Sequence, residues 1–497
     1  MTTITQRYRV WLLAGLLLIF LLCKYLWTLL VFEIPLGYDV GIYRYLFLRF
    51  ATGFPPFVIP AMDGWAYQHP LGLFVFSTIL LRAGLPVDAL LGWIWNVMPV
   101  ALASTLALLT ARRTGDTSTG LVVLLMALFS IAQFYGFVAM YWKTEAALLA
   151  CILTFHFFER RSWWAVLTGV MTVGIHQQTG LLLGLSLLSV WGLRLLAQPR
   201  SLLREQRTSL IGMLVLVLGL ALYLPVWKTA VPDQLRALFT AHGDSTGGSF
   251  PMPSFFLVYE SILLAFGVRG FLSTIRWRQP TVWHWAVFWS ALFVLFRLYF
   301  FRRFFLHLEF FLLPCAAIAV SAAWRKRNGI GARAPIVALL LVQGIASASA
   351  IAPATLSYCR VTPVLCRFFP EVPQIALSLT ANEWEHIRTL DAFLPQGALV
   401  VDLDPVSAPW LRGWLPDKFL IAPGVFNSPW DEQGWQRVIL GSPHERRLLL
   451  QDLVAPPGIY IYISPVLQTY YGHATDVLLS DPCLKSTSRP DILFFAC

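Results

Sequence analysis

Apolar runs of about 18–23 residues, separated by short arginine-rich connections, recur along most of the chain and predict a polytopic membrane protein. The first run, Val10 to Phe32, follows Arg7 and Arg9. It is too long for a signal-peptide core and no small-x-small cleavage site follows it. It therefore reads as an uncleaved first span with a cytoplasmic N-terminus. Further spans are expected at 88–110, 120–139, 142–158, 163–177, 179–197, 208–227, 254–272, 282–300, 304–323 and 334–353. Arg112 and Arg113, Arg160 and Arg161, then Arg200, Arg204 and Arg207 fall in alternate connections, as do Arg276 and Arg278, and Arg325, Lys326, Arg327 and Arg333. Setting these inside gives about eleven spans, N-terminus in and C-terminus out.

Three stretches break the rhythm. "EIPLGYDVGIYRYLFLRFA", Glu33 to Ala51, places Asp39 just past the first span, ahead of an apolar strip unsuited to a water-exposed loop. "HPLGLFVFSTILLRAG", His69 to Gly84, is apolar but short, and is expected to be a half-helix or in-plane helix on the outer side. The hairpin at 163–197 turns at "GIHQQTG", so two short helices would meet at a recess lined by His176, Gln177 and Gln178. Past about residue 353 the apolar runs shrink to strand length. "EWEHIRTLDAFL" leads into "ALVVDL", and "HERRLLLQDLV" leads through "APPG" into "IYIYIS". Helix then strand, twice, predicts a small α/β domain. The expected organisation is an all-α polytopic membrane domain, 1–353, with outer loop 33–87, followed by an extracytoplasmic α/β domain, 354–497.

Composition agrees. The 497 residues are 57% hydrophobic and only 13% charged, about half the charged share of soluble chains. The net charge of +11 lies in the connections between spans and forms no basic stripe with interleaved aromatics, which excludes a nucleic-acid partner. Cys23, Cys151 and Cys315 sit in apolar runs and read as buried small hydrophobes. Cys359, Cys366, Cys483 and Cys497 all fall in the C-terminal part, which fits an oxidising compartment and one or two disulfides.

Charged groups at the outer ends of spans are costly unless they pair or face a cavity. The set is Asp39 and Arg44, Asp63 and His69, Lys143 and Glu145, His176, Arg302 and Arg303, with His307 and Glu309 deeper in a span. A carboxylate can act as general base toward a hydroxyl, and Arg and Lys can hold a phosphate that gains charge on leaving. Such a mixture suits an anionic amphiphile. Plainer roles compete: Asp39 could cap the following helix, and Arg302 and Arg303 could anchor at lipid headgroups. Lys143 and Glu145 could pair with each other, and His307 and Glu309 could bond between helices.

The order of parts resembles the GT-C superfamily of integral membrane glycosyltransferases. The likeness lies in an early aspartate after the first span and in a "YQHPLGLF" segment similar to a Tyr-x-x-Pro-Pro-Leu stretch. A hairpin with a polar tip, a late Arg-Arg-Phe span containing Pro314, and an outer C-terminal domain complete it. The resemblance implies transfer of a sugar from a polyprenyl-phosphate donor to a hydroxyl of a glycan or lipid-linked acceptor, with inversion, on the periplasmic or lumenal face; the expected location is a bacterial inner membrane with the C-terminal domain periplasmic. It makes Asp39 the catalytic base and implies substrate contacts from Arg44, Asp63, His69, Lys143, Glu145, His176, Gln177, Arg302 and Arg303. The strip behind Asp39 would lie in the interface as the floor of a cavity open to lipid. No Asp-x-Asp follows the first span, which argues against a tightly held metal and leaves at most a weak divalent ion beside the lipid-phosphate sugar co-substrate. The rival readings are a lipid-linked glycan transporter or flippase, expected to show repeated halves and broken helices, and a non-catalytic subunit of an envelope-assembly complex.

Overall fold

The computed structural model describes residues 2–32, 39–54, 70–197, 206–224, 250–276, 279–351, 381–423, 428–453, 458–470 and 472–497, with 232, 235 and 236. Asp63, His69, Cys359 and Cys366 lie outside the described residues. In chain order the first helices are α1 (Thr2–Phe32), α2 (Val40–Thr52), α3 (Gly72–Arg82), α4 (Met98–Thr114), α5 (Thr117–Phe129), α6 (Ile131–Val138) and α7 (Trp142–Glu159). Next come α8 (Trp164–Ile175), α9 (Gln177–Ala197), α10 (Gln206–Ala221), α11 (Pro253–Tyr259), α12 (Ser261–Thr274), α13 (Val282–Leu295), α14 (Phe301–Lys326) and α15 (Ile330–Ile351). The chain forms two compact units, Met1–Trp27, Gln68–Leu73 and Trp93–Ala376 in the first, and Thr28–Tyr67, Phe74–Gly92 and Leu377–Cys497 in the second.

In the first unit α14 is the buried central helix, and α12, α13 and α5 pack around it. Gly270 of α12 lets that helix approach the Cys315 carbonyl of α14 so closely that a Cβ there would collide with it. Two helices are broken, α5/α6 by 54° at Ser130 and α11/α12 by 93° at Glu260. Away from water, each freed backbone group needs a partner. Lys24 of α1 donates to the carbonyls of Ala127, Leu128 and Ser130 at 3.2, 3.0 and 2.5 Å, a cation on a helix C-terminus. Glu260 accepts from the amides of Ile131 and Ala132, an anion on a helix N-terminus. Gln343 of α15 donates to Tyr259 O at 2.9 Å and accepts from Leu263 N at 3.2 Å, so it bridges the second break. Ser347 donates to Phe129 O at 2.6 Å, closing the first.

Among the described residues four helices are long and apolar enough to cross a membrane, or six if each bent pair is one span. The eleven full crossings expected from hydropathy are not confirmed. Helices α8, α13 and α10 have 12, 14 and 16 residues, or about 18–24 Å against a hydrocarbon core of about 30 Å. Helix α3, with 11 residues, is shorter still. Cys23 is exposed on α1 rather than buried, whereas Cys151 and Cys315 are buried.

The second unit adds α16 (Ala381–Phe393), β1 (Leu399–Asp402), α17 (Ala408–Trp414), β2 (Phe419–Ile421), α18 (Glu432–Leu440), α19 (Pro443–Gln451), β3 (Ile459–Tyr462), β4 (Leu484–Ser486) and β5 (Ile492–Phe495). The sheet order is β2-β1-β3-β5-β4, with β1 parallel to β2 and β3, and β5 antiparallel to β3 and β4. The two helix-to-strand passages read from the sequence are α16 to β1 and α19 to β3. Val401, Ile461, Leu450 and Leu493 belong to the core they enclose. Arg446 is 1% exposed, pairs with Asp481 and donates to the carbonyls of Val438 and Gly441, which terminates α18. Cys483 and Cys497 are bonded, Cα to Cα 5.1 Å, tying the chain end to the start of β4.

The strip behind Asp39 is α2, and protein covers it. Gly41 crosses against Pro409 and Trp410 of α17, and Gly413 of α17 meets Gly41, leaving no room for a Cβ at either glycine. Tyr45, Leu46, Phe47 and Phe50 are buried, with Phe47 and Phe50 against Phe74. The sequence reading makes this strip a helix in the interface and the floor of a cavity open to lipid; the structure adds that α17 packs on its Gly41 face.

Two substitutions test this packing. Gly41→Leu should destabilise the protein by about 2 kcal/mol or more through overpacking, whereas Gly53→Ala, where a Cβ meets nothing within 4 Å, should leave the thermal midpoint unchanged. Glu260→Ala should cost roughly 3 kcal/mol by stripping buried amides of their acceptor, and Glu260→Gln, which still accepts, should cost much less. Thermal unfolding of the detergent-solubilised variants measures both; equal losses for the alanine and glutamine variants would contradict the capping role.

Candidate functional site

The polar residues of the first unit gather around the start of α7 and the α8–α9 junction. Helix α6 ends with Tyr141 N bonded to Gly136 O at 2.9 Å and Met140 N to Phe137 O at 3.0 Å. This capping pattern puts Met140 in the left-handed region at φ 58°, a position glycine usually takes. Arg161 and Arg297 end α7 and α13 in the same way, so their positive φ values are helix caps. Tyr299, at φ 52°, is different. It lies in the short loop before α14, and its hydroxyl accepts from Gln177 Nε2 at 3.2 Å.

The chain reverses after Met140, so Trp142, Lys143, Thr144 and Glu145 form the buried first turn of α7. His176 is the single extended residue between α8 and α9. The hairpin therefore turns at one residue, and α9 has 21 residues where a helix of about 15 was expected. His176 Nε2 lies 3.4 Å from Thr144 Oγ1, and its Nδ1 lies 2.9 Å from Thr179 Oγ1. Thr179 Oγ1 is in turn 2.9 Å from His307 Nε2, and His307 Nδ1 is 3.2 Å from the Arg303 carbonyl. The imidazoles are parallel, 6.1 Å between centroids. Thr144, His176, Thr179 and His307 thus form one hydrogen-bonded chain across α7, α9 and α14, and Thr179 is the link that sequence reasoning missed. Its signal was the repeat "HQQT", which sets His and Thr three residues apart, on one side of a helix start.

Arg303 stacks its guanidinium over Tyr141 at 4.8 Å and Phe300 at 5.2 Å, and its Nε has no hydrogen-bond partner among the described residues. Arg302 reaches Phe250 O at 3.5 Å. Glu145 is 1% exposed and neither carboxylate oxygen has a hydrogen-bond partner among the described residues. It does not pair with Lys143 in the way the plainer sequence reading allowed. Glu309 accepts from Gln133 Nε2 at 2.9 Å, so it serves the interhelix role rather than a free one. An apolar cavity of about 290 Å³ lies between α8, α9 and α10, walled by Val173, Leu183, Leu216 and Gly219, and it includes Gln177 and Tyr299.

Asp39 and Arg44 belong to the second unit. Asp39 starts α2, but its side chain makes no capping hydrogen bond. Arg44 is engaged by Asp88 at 3.0 Å, by the Gly413 carbonyl at 2.8 Å and by the Trp414 ring at 4.9 Å. Within its unit it ties α2 to Asp88 and to α17. No group of three or more His, Cys, Asp or Glu side chains suited to a metal occurs among the described residues.

No protein-family model and no curated protein sequence matches the chain. Solved structures do. The archaeal oligosaccharyltransferase AglB from Archaeoglobus fulgidus, in complex with an inhibitory peptide and a dolichol-phosphate, aligns with a TM-score of 0.61 at 13% identity, over 93% of this chain and 70% of that one. The apo form of the Archaeoglobus fulgidus oligosaccharyltransferase aligns at 0.59 and 13% identity, over 95% and 71% of the two chains. Its complex with Zn and sulfate aligns at 0.55 and 13% identity, over 95% and 70%. The chain therefore shares the fold of this oligosaccharyltransferase, and the likeness extends to the fold alone.

Proposed function

We propose that the protein is a membrane glycosyltransferase that moves a sugar from a polyprenyl-phosphate donor to a hydroxyl of a glycan or lipid-linked acceptor, with inversion, on the outer face of a bacterial inner membrane. The observation that carries this reading is the meeting of the apolar cavity, at Gln177 and Tyr299, with residues that belong to the polar cluster of the first unit. An amphiphile with a phosphate headgroup needs both. Its chain would lie against Val173, Leu183 and Leu216, and its phosphate would draw on Arg303, Arg302 and Lys143. The fold likeness to a protein solved with a dolichol-phosphate supports the same class of donor.

Each residue then has a role set by its chemistry. Arg303, aligned by Tyr141 and Phe300, meets the phosphate as it gains charge. His176, whose two ring nitrogens are engaged by Thr144 and Thr179, holds the wall of the headgroup site in place. Glu145, a buried carboxylate with open acceptor positions, takes hydroxyls of the donor sugar. Asp39 takes the proton of the acceptor hydroxyl as the new bond forms. A weakly held divalent ion is at most an auxiliary in this scheme. The broken helices are a feature a transporter would share, but side chains of Lys24, Glu260, Gln343 and Ser347 close their ends. That arrangement favours a rigid frame over a moving one.

Two variants test the roles separately. Asp39→Asn should lower turnover about a hundred- to ten-thousandfold, with donor binding and thermal stability near wild type. Unchanged turnover would remove the base assignment. Arg303→Ala should raise the donor's apparent KM roughly tenfold or more, from loss of one charge-assisted contact. Steady-state kinetics with a short-chain polyprenyl-phosphate sugar measures both, and an unaltered KM would make Arg303 a structural cation.

A further inference from the structure

A second cavity, of about 650 Å³, opens in the first unit among α4, α7, α12, α13 and α14, at the ends that carry the arginine-rich connections. Arg112, Arg113, Arg160 and Arg276 stand around it, and Phe155 and Trp283 are part of its apolar wall. The wall is rigid. Trp283 donates its indole N–H to Phe311 O at 3.0 Å, and its ring meets Phe155 edge-on at 5.6 Å. Thr281 and His284 form a reciprocal cap at the start of α13. The carboxylate that belongs to the cavity, Glu159, is neutralised by Arg113 at 3.2 Å. The side chains of Arg112, Arg160 and Arg276 make no ion pair or hydrogen bond among the described residues. Arg112 and Arg160 both act electrostatically on His156, so their charges converge on one place.

We propose that this cavity is a binding site for a phosphate monoester carried on a lipid chain, with the phosphate among Arg112, Arg160 and Arg276 and the first carbons of the chain against Phe155 and Trp283. The ordinary role of arginines at span ends is to sit among headgroups without selecting any of them. Here they surround a concave space of the size of small-molecule sites that has an apolar wall as well as the cations. A soluble anion would use the arginines and leave that wall unpartnered. A zwitterionic lipid would bring its own cation into a space with three uncompensated ones. The site is separate from the polar cluster around His176 and does not rest on the reaction proposed above.

The test uses the full-length protein in detergent and four probes: dihexanoylphosphatidic acid, geranyl phosphate, dihexanoylphosphatidylcholine and inorganic phosphate. At least one of the two lipid monoesters should bind the wild type more tightly than phosphatidylcholine or inorganic phosphate do. Binding should weaken at least about tenfold in R112Q/R160Q/R276Q. Tighter phosphatidic acid would identify a membrane phospholipid as the occupant, and tighter geranyl phosphate a prenyl carrier. Leu109→Trp, which keeps every cation but fills the cavity, should also lose the lipid probes, and its intact charge guards against a misfolded triple variant. Equal binding by wild type and triple variant would overturn the proposal. So would inorganic phosphate binding as well as the lipid monoesters, or full retention of the lipid probes in Leu109→Trp.

Discussion

A backbone polar group that has left its helix cannot turn to water inside a membrane, and the first unit is organised around that constraint. Its two breaks, at Ser130 and Glu260, bring carbonyls and amides into the interior of the unit. Lys24 takes the carbonyl end and Glu260 the amide end, each charge matched to the dipole of the terminus it meets. Gln343 and Ser347 complete the closure from α15. Three elements distant in sequence are thereby pinned at one point. Gln133, on the helix that starts at the first break, then carries the link to Glu309 and Leu306 of the central α14. The position of α14, and with it Arg303 and His307, follows from this closure.

The same reasoning separates structural charges from those left for chemistry. Lys24, Glu260 and Glu309 are deep in the unit, and each is engaged by backbone or amide partners, although Glu260 Oε2 and Glu309 Oε1 accept nothing among the described residues. Glu145 is as deeply buried as they are, yet its oxygens accept nothing among the described residues. A fully buried carboxylate without such partners is costly to keep, and a substrate hydroxyl or cation would offset that cost.

Much of this was legible in the chain. Apolar runs with arginine punctuation marked the membrane region, because hydropathy is a local property that needs no knowledge of neighbours. The passages "EWEHIRTLDAFL" to "ALVVDL" and "HERRLLLQDLV" to "IYIYIS" marked the C-terminal α/β unit, since a change of period from helical to alternating is also local. The cysteines near the chain end pointed to a disulfide there. The polar tip at His176 was visible because a His-Gln-Gln run between two apolar stretches is expensive without a use.

The sequence by itself determined composition, periodicity and the cost of each polar residue in lipid. Only the tertiary structure decided which of those costs are met by protein. Lys24 reads as one cation in a first span until the α5/α6 break supplies three carbonyls for it. Arg44 reads as a lone charge past the first span until Gly413 and Trp414 of α17 arrive from far along the chain. The strip of α2 reads as an interfacial helix, and only the fold shows that Gly41 and Gly413 let it touch α17. Thr179 is invisible as a link until α9 and α14 set it between two histidines. In each case the partner lies tens to hundreds of residues away, and hydrogen bonds and close packing depend on distance in space, which local patterns of hydrophobicity do not encode.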